Sequence, residues 1–464
     1  MKLNQTKKLA LPALIGLALT GCGSSSSDSN NNGYIQLYNG SYNSPKTFLF
    51  IEDVQRTGSK FGAVSTRHSY QSDTYEVSYE YQNDDGDYKS IFEQDVKINS
   101  DQKQLIIMTG DFAEPTFTEI SIEDVDESNS DDELFSLAFI NTVGSDVNFD
   151  VYLASEDDDF TDADFVTTTT KLSASDFITY TEGKFSLYIT KAGEDEVIFR
   201  STETSLYDGI SYIAIIRDVY GVTDGSITID LVSDSNNVIA LKHEDAQGQI
   251  HFYNSLNQYE NVTFTATNLD NSTAPIASDS FSEYMKLVPG DYTISMTDEA
   301  TGEVVIEKYL ITLNREESLA AIVYQDNDRI QPSMKSITEN LSPNSTSHDI
   351  QIINLINSSN GIELSQLDVF FTKSGESIED TNTFAKNITK YQHKSVAIDN
   401  ETYTIQVVFD DDGQLRSLIT VPEQAFTQDG NYIIVLEEKD CNTENCDDAE
   451  FKLTIEHTVA NIVE

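Results

Sequence analysis

The residues of this 464-residue chain that could do chemistry are its acids, three Cys and six His. Asp157, Asp159, Asp162 and Asp164 crowd into one short stretch, and Asn83 to Asp87 and Asp410 to Asp412 form two more acidic turns. Such clusters suit Ca²⁺, which takes about six to eight oxygen ligands. None has the spacing of an EF-hand loop. Counting back from Gly86 or Gly413 puts Tyr81 or Val408 where the first Asp would stand. The other reading is a solvated turn in a very acidic protein. Cys441 and Cys446 lie close enough for a disulfide across a small loop, and no His or second Cys pair lies nearby to complete a metal site.

Catalytic patterns are missing from the sequence. His68, His243, His251, His348, His393 and His457 show no ligand spacing, and there is no His-Glu-x-x-His. There is no Gly-x-Ser-x-Gly elbow and no Gly-rich loop with Lys to cradle phosphate. Paired carboxylates occur throughout, so pairing does not single out an acid–base couple. The expectation is a chain that is not an enzyme and has no catalytic residues, with Ca²⁺ as the one candidate cofactor.

The N-terminus carries a targeting pattern. Lys2, Lys7 and Lys8 precede an apolar core from Leu9 to Thr20. That core has the length of a signal peptide's and is too short for a membrane span of about 20 residues. It ends Leu19-Thr20-Gly21-Cys22, which resembles the lipobox of bacterial lipoproteins. The resemblance implies a signal peptide over 1–22 and acylation of Cys22 by palmitate-type chains. With Gly23 rather than Asp next, it also implies delivery to the outer membrane. Several acyl chains hold a protein far more firmly than one. Residues 23–33, rich in Ser and Asn, read as a flexible tether.

The chain carries 28 Lys and Arg against 79 Asp and Glu, a formal charge of −51. Nucleic acid and anionic lipid surfaces both require basic partners, so neither is expected to bind directly. The 23 Tyr and 23 Phe are enough for compact β cores, and the acids are dispersed, which points to folded acidic domains.

These residues must be held by a repeated element. A word of alternating apolar residues ending in Asn occurs as Ile35-x-Leu37-x-Asn39, Leu137-x-Phe139-x-Asn141, Ile250-x-Phe252-x-Asn254 and Ile350-x-Ile352-x-Asn354. The starts lie roughly 100 residues apart, the size of one domain. A second strand follows each word. Further on comes an aromatic-led alternation: Tyr75-x-Val77-x-Tyr79, Phe185-x-Leu187-x-Ile189, Tyr292-x-Ile294-x-Met296 and Tyr403-x-Ile405-x-Val407. An apolar run closes each unit, as in Tyr212 to Ile216 or Tyr432 to Leu436. The pattern predicts an all-β chain of four antiparallel, Ig-like β-sandwiches over 34–122, 134–241, 249–330 and 349–464. Polar joints between them predict a rod with limited bending. Asn at the end of each first strand reads as a turn former, with equivalent ligand sites as the alternative. Tyr38, Tyr42 and Tyr253 are candidates for stacking on sugars or for packing.

The third unit, through Leu287-Val288-Pro289-Gly290-Asp291-Tyr292-Thr293-Ile294, resembles the bacterial family called domain of unknown function 4397. Ser44-Pro45, Asp150-Val151-Tyr152, Asp368-Val369-Phe370, Gly183-x-Phe185 and Gly290-x-Tyr292 carry the likeness. Asn39, Asn141, Asn254 and Asn354 stand where that family often has His, and Asp73 and Glu401 stand in place of its Gly. The resemblance implies tandem β-sandwiches on exported proteins and no catalytic residues. The resulting expectation is a non-catalytic, lipid-anchored protein of the bacterial outer membrane, periplasmic or surface-facing. It would serve as a binding or spacer module for a protein or glycan partner. The alternatives are a Ca²⁺-binding acidic array and an envelope hydrolase.

Overall fold

The structure is a computed structural model. It describes residues 31–83, 86–123, 133–222, 227–233, 235–266, 271–326, 329–343, 346–356, 358–359, 362–438 and 451–458. Residues 1–22, with the lipobox, and the Cys441–Cys446 pair lie outside these. Among the described residues every regular element is a strand. The strands form four two-sheet units in tandem, so the chain is all-β and modular as the alternation predicts.

Each unit has an inner and an outer sheet. The inner sheet holds the Asn-ended opening strand: Asn32–Gly40, Leu134–Asn141, Gly248–Asn254 or Ser347–Asn354. Beside it runs the closing strand: Gln102–Thr109, Ser211–Asp218, Ser318–Tyr324 or Asn431–Glu438. These two pair in parallel in all four units, and the remaining ladders are antiparallel. Parallel neighbours need a long crossover, and here the crossover is the entire outer sheet. A terminal strand flanks the closing strand on its other side: Thr116–Glu123, Ile227–Val232, Ser333–Thr338 or Phe451–Thr458. The third of these lies inside the joint expected from 331 to 348. Sandwich 3 therefore runs past residue 330, because Met334 and Ile337 alternate with polar residues too sparsely to announce a strand.

The outer sheet is built on the second strand and the aromatic-led strand, for example Thr47–Ile51 against Asp73–Gln82. Each pair of sheets encloses its own core. In sandwich 3, Phe252 of the inner sheet stacks on Phe264 of the outer at 4.4 Å between ring centroids. Tyr292 belongs to the same core and is 4% exposed.

All four Asn of the repeated word are fully buried turn formers. Each side-chain oxygen accepts the N–H two residues on, from Ser41, Val143, Leu256 and Ile356, at 2.9 to 3.1 Å. Each amide nitrogen donates to a carbonyl of the neighbouring loop or strand, of Ser59, Val147, Tyr259 and Ile388. A side chain that is wholly buried and bonded to the backbone through both its oxygen and its nitrogen is out of a ligand's reach, which decides between the two readings of these residues.

Two predictions follow from the cores and turns. Tyr292→Ala lowers stability by about 3–5 kcal/mol, as for other buried aromatics. Asn254→Ala, which leaves a buried N–H without its acceptor, lowers it by about 1–3 kcal/mol. Both are read as shifts of the denaturant midpoint, and wild-type values would refute the assigned burial.

Candidate functional site: the seams between sandwiches

The inner sheets are apolar on both faces. In sandwich 1, Leu37, Ile106 and Met108 face its own core, while Tyr38, Leu105 and Ile107 face outward. In sandwich 2, Phe139 and Ile216 face inward, and Ala138, Ile140, Ile213 and Ile215 outward. The two outward sets form one cluster, so sandwiches 1 and 2 pack inner sheet to inner sheet. Sandwiches 3 and 4 do the same through Tyr253, Ala320, Ile322, Ile353, Ile433 and Val435. The expected end-to-end rod is thus replaced by two face-to-face pairs. A sheet with apolar residues at consecutive positions must be covered on both sides.

The opening words already distinguish partners. The residue before the Asn is Tyr38, Ile140, Tyr253 and Ile353 in turn. Two residues before each word stand Gly33, Phe135, Gly248 and His348. Gly33 and Gly248 are both required by close approach: an added Cβ would lie 1.9 Å from the Asn99 carbonyl oxygen and 2.6 Å from that of Asn314. Odd and even sandwiches therefore differ in type, and the chain repeats a two-sandwich unit twice.

Polar groups buried at the seams are the chain's most organised chemistry. At the first seam, the Tyr38 hydroxyl donates to Asp230 of sandwich 2 at 2.6 Å. Arg217 holds the same carboxylate at 2.8 Å, with the Asp230 side chain 1% exposed. Burial, and then the Asp230 charge, push the Tyr38 hydroxyl well above its ordinary pKa. Lys103, also buried, donates to Gln36 at 3.3 Å and to the Ser233 carbonyl. The first seam thus sets two cations, Arg217 and Lys103, against the buried acid Asp230. Tyr42 lies at its edge, stacked on Tyr220 at 4.7 Å. Tyr38 and Tyr253 are fully buried, so packing and not sugar stacking is their role.

At the second seam the Tyr253 hydroxyl donates to Glu437 of sandwich 4, with the Thr454 hydroxyl 3.1 Å away on its other side. Lys452 pairs with Asp279 and lies 3.7 Å from Glu437. Nearby, His251 and Tyr284 lie 3.1 and 3.0 Å from Glu339 Oε1, and Ser318 donates to Oε2 at 2.6 Å. Sequence reasoning reaches Tyr38, Tyr42 and Tyr253 as aromatic candidates but not the acids Asp230 and Glu437 that Tyr38 and Tyr253 bond, which lie 192 and 184 positions away.

The two pairs are pinned together through the 242–248 joint. Lys242 donates to the Arg315 carbonyl at 2.8 Å, and Arg315 to that of Glu244 at 2.9 Å. Val222 of sandwich 2 packs on Leu341.

The acidic clusters do not form cages. Asp157, Asp159, Asp162 and Asp164 lie on one exposed loop, where Asp159 accepts from the Thr161 N–H and hydroxyl at 2.8 and 2.5 Å. These bonds hold Asp159 below the usual carboxylate range. Among the described residues no group of three or more His, Cys, Asp or Glu is placed to hold a metal. Asn83 and Asp410 accept the N–H of Asp87 and Gly413 and so act as turn formers. A surface depression of about 840 Å³ lies on sandwich 3 beside Thr273, Pro275, Phe281, Glu283 and Tyr284.

No protein-family model and no curated protein matches the chain. Among solved structures, the Bacillus anthracis TIE protein is similar over 88% of this chain and 68% of its own, at 11% identity and a TM-score of 0.15. BcpA, the major pilin subunit of Bacillus cereus, is similar over 65% of this chain and 99% of its own, at 12% identity and a TM-score of 0.12. Likeness this low carries no argument about function.

Arg217→Ala strands a buried Asp230 and is expected to destabilise by about 3–5 kcal/mol. Tyr38→Phe loses one hydrogen bond to a charged group, about 1.5–3 kcal/mol. Calorimetry on both variants checks the order, and equal losses would refute it. Millimolar Ca²⁺ should leave the melting temperature unchanged, whereas a rise would mean that the 157–164 loop rearranges to bind it.

Proposed function

We propose that the chain is a non-catalytic, lipid-anchored protein of the bacterial outer membrane whose paired sandwiches present binding surfaces to a protein or glycan partner, or space such a partner from the bilayer. The observation that carries this reading is how the chain uses its buried polar groups. Tyr38, Arg217 and Asp230 at one seam, and Tyr253, Glu437 and Lys452 at the other, fasten sandwich to sandwich. Chemistry directed at internal bonds builds a stiff body, which suits display and spacing.

The lipobox-like Leu19-Thr20-Gly21-Cys22 and the tether after it supply the anchor in this reading. The likeness to the domain of unknown function 4397 family belongs to it as well. A charge of −51 favours neutral or cationic partners over anionic ones.

The test is metabolic labelling with a palmitate analogue in a bacterial host, followed by membrane fractionation. Wild type should carry label and sediment with outer membranes, and Cys22→Ala should lose both. Label that persists in Cys22→Ala would overturn the anchor. A turnover found for the purified chain on envelope polymers would overturn the non-catalytic reading.

A further inference from the structure

The two seams share a geometry and differ in electrostatics. Each has an apolar centre and a Tyr of the odd sandwich bonded to an acid of the even one. At the first seam the acid, Asp230, is matched by Arg217, and Lys103 is buried elsewhere in the same seam, bonded to Gln36 and the Ser233 carbonyl. At the second seam carboxylates outnumber cations. Sandwich 3 contributes Asp279, Glu283 and Glu339, and sandwich 4 contributes Glu437 and Glu456. Against these stand Lys452 and the ring of His251, which pairs with Glu339 as an ion only while it carries a proton. Tyr253 and Tyr284 donate to two of the carboxylates. At the seam's other edge Lys335 is held by the Tyr391 carbonyl and the Gln392 side chain, at 3.2 and 2.7 Å, with His393 beside it.

We propose that the seam between sandwiches 3 and 4 is a proton-operated joint. With Glu437 and Glu456 protonated the two inner sheets stay closed. With them ionised the sheets part, while sandwiches 1 and 2 remain locked. The inference does not depend on the lipid anchor or on any partner.

The physical reason is desolvation. Glu437 is 2% exposed and Glu339 7%, and an ionised carboxylate in such a place gives up its water for few compensating charges. Burial raises the pKa of both Glu437 and Glu456. Lys452 and the Tyr253 hydroxyl only partly offset this for Glu437, and His251 partly offsets it for Glu456, where Glu339 and Glu283 add to the rise. The closed seam therefore binds these protons more tightly than an open one, in which water solvates the carboxylates. Closure is fully favoured below the ordinary carboxylate range and is lost as pH rises through the elevated values.

Ala138 and Ala320 allow a matched test, since both are fully buried small residues at the centres of the two seams. Each is replaced in turn (Ala138→Cys, Ala320→Cys) in the secreted chain with Cys22, Cys441 and Cys446 changed to Ser. Labelling by a thiol reagent is followed at about pH 5.5 and about pH 8.5, normalised to the same thiol in denaturant so that only accessibility is read. The Ala320→Cys thiol should gain about tenfold or more over the Ala138→Cys thiol across that range, and Glu437→Gln with Glu456→Gln should abolish the gain. Equal responses at the two seams, or a gain that survives the two Gln substitutions, would overturn the proposal. Small-angle scattering of the chain with its native seams provides a second measurement. Its radius of gyration should rise with pH, and an unchanged radius would also overturn the proposal.

Discussion

The rest of the structure depends on the double-sided burial of four inner sheets. Leu105 to Met108, Tyr212 to Ile216, Leu319 to Val323 and Tyr432 to Leu436 are apolar at every position. A half-exposed antiparallel strand alternates, but these strands do not, because each lies between its own core and a neighbouring sandwich. The parallel pairing of opening and closing strands places both at the middle of the inner sheet. The seam is therefore continuous with the core. Removing one sandwich of a pair would expose a full sheet face to water.

This constraint explains where the polar chemistry sits. A hydroxyl or carboxylate that faces a seam must find a partner across it, or its desolvation goes unmatched. Tyr38 finds Asp230 on the Ile227–Val232 strand, and Tyr253, at the equivalent place in the second pair, finds Glu437 on the closing strand. Such bonds add little net stability against an apolar replacement, but they fix which sheet meets which, and in what register. The solutions then diverge. The first seam balances its acid with Arg217, and the second gathers acids around one Lys and one His. The same architecture thus yields one joint whose buried acid meets an Arg and one where acids outnumber cations. Their repetition on a strongly acidic surface fits a chain that holds a shape and presents it.

The sandwiches were legible in the sequence because their signal is local. Tyr292, Ile294 and Met296 alternate within one strand, and that alternation alone places them in a core. Asn39, Asn141, Asn254 and Asn354 close turns through groups two residues on, again within reach of a sequence window. The Ser333–Thr338 strand leaves no such signal, because only Met334 and Ile337 of its six residues are buried and they are three positions apart, so no alternation marks the strand that pairs with Ser318–Tyr324. Asp157 to Asp164 looked like a ligand set because proximity in sequence was taken for convergence, yet a turn fans its side chains into solvent.

The fold class, the number of units, and an expectation of export and acylation at Cys22 were all readable from the sequence, along with two readings of the four Asn that their burial then separated. The sequence also held the odd–even code of Tyr38, Ile140, Tyr253 and Ile353, although nothing in one strand says what its outward face will meet. Only the tertiary structure decided that sandwiches pair face to face, that Tyr38 and Tyr253 are keys and not surface rings, and that acids collect at one seam. Periodicity reports whether a side chain is buried, since burial is a property of one face. It cannot report by what, because the covering surface is assembled from residues far away in the chain.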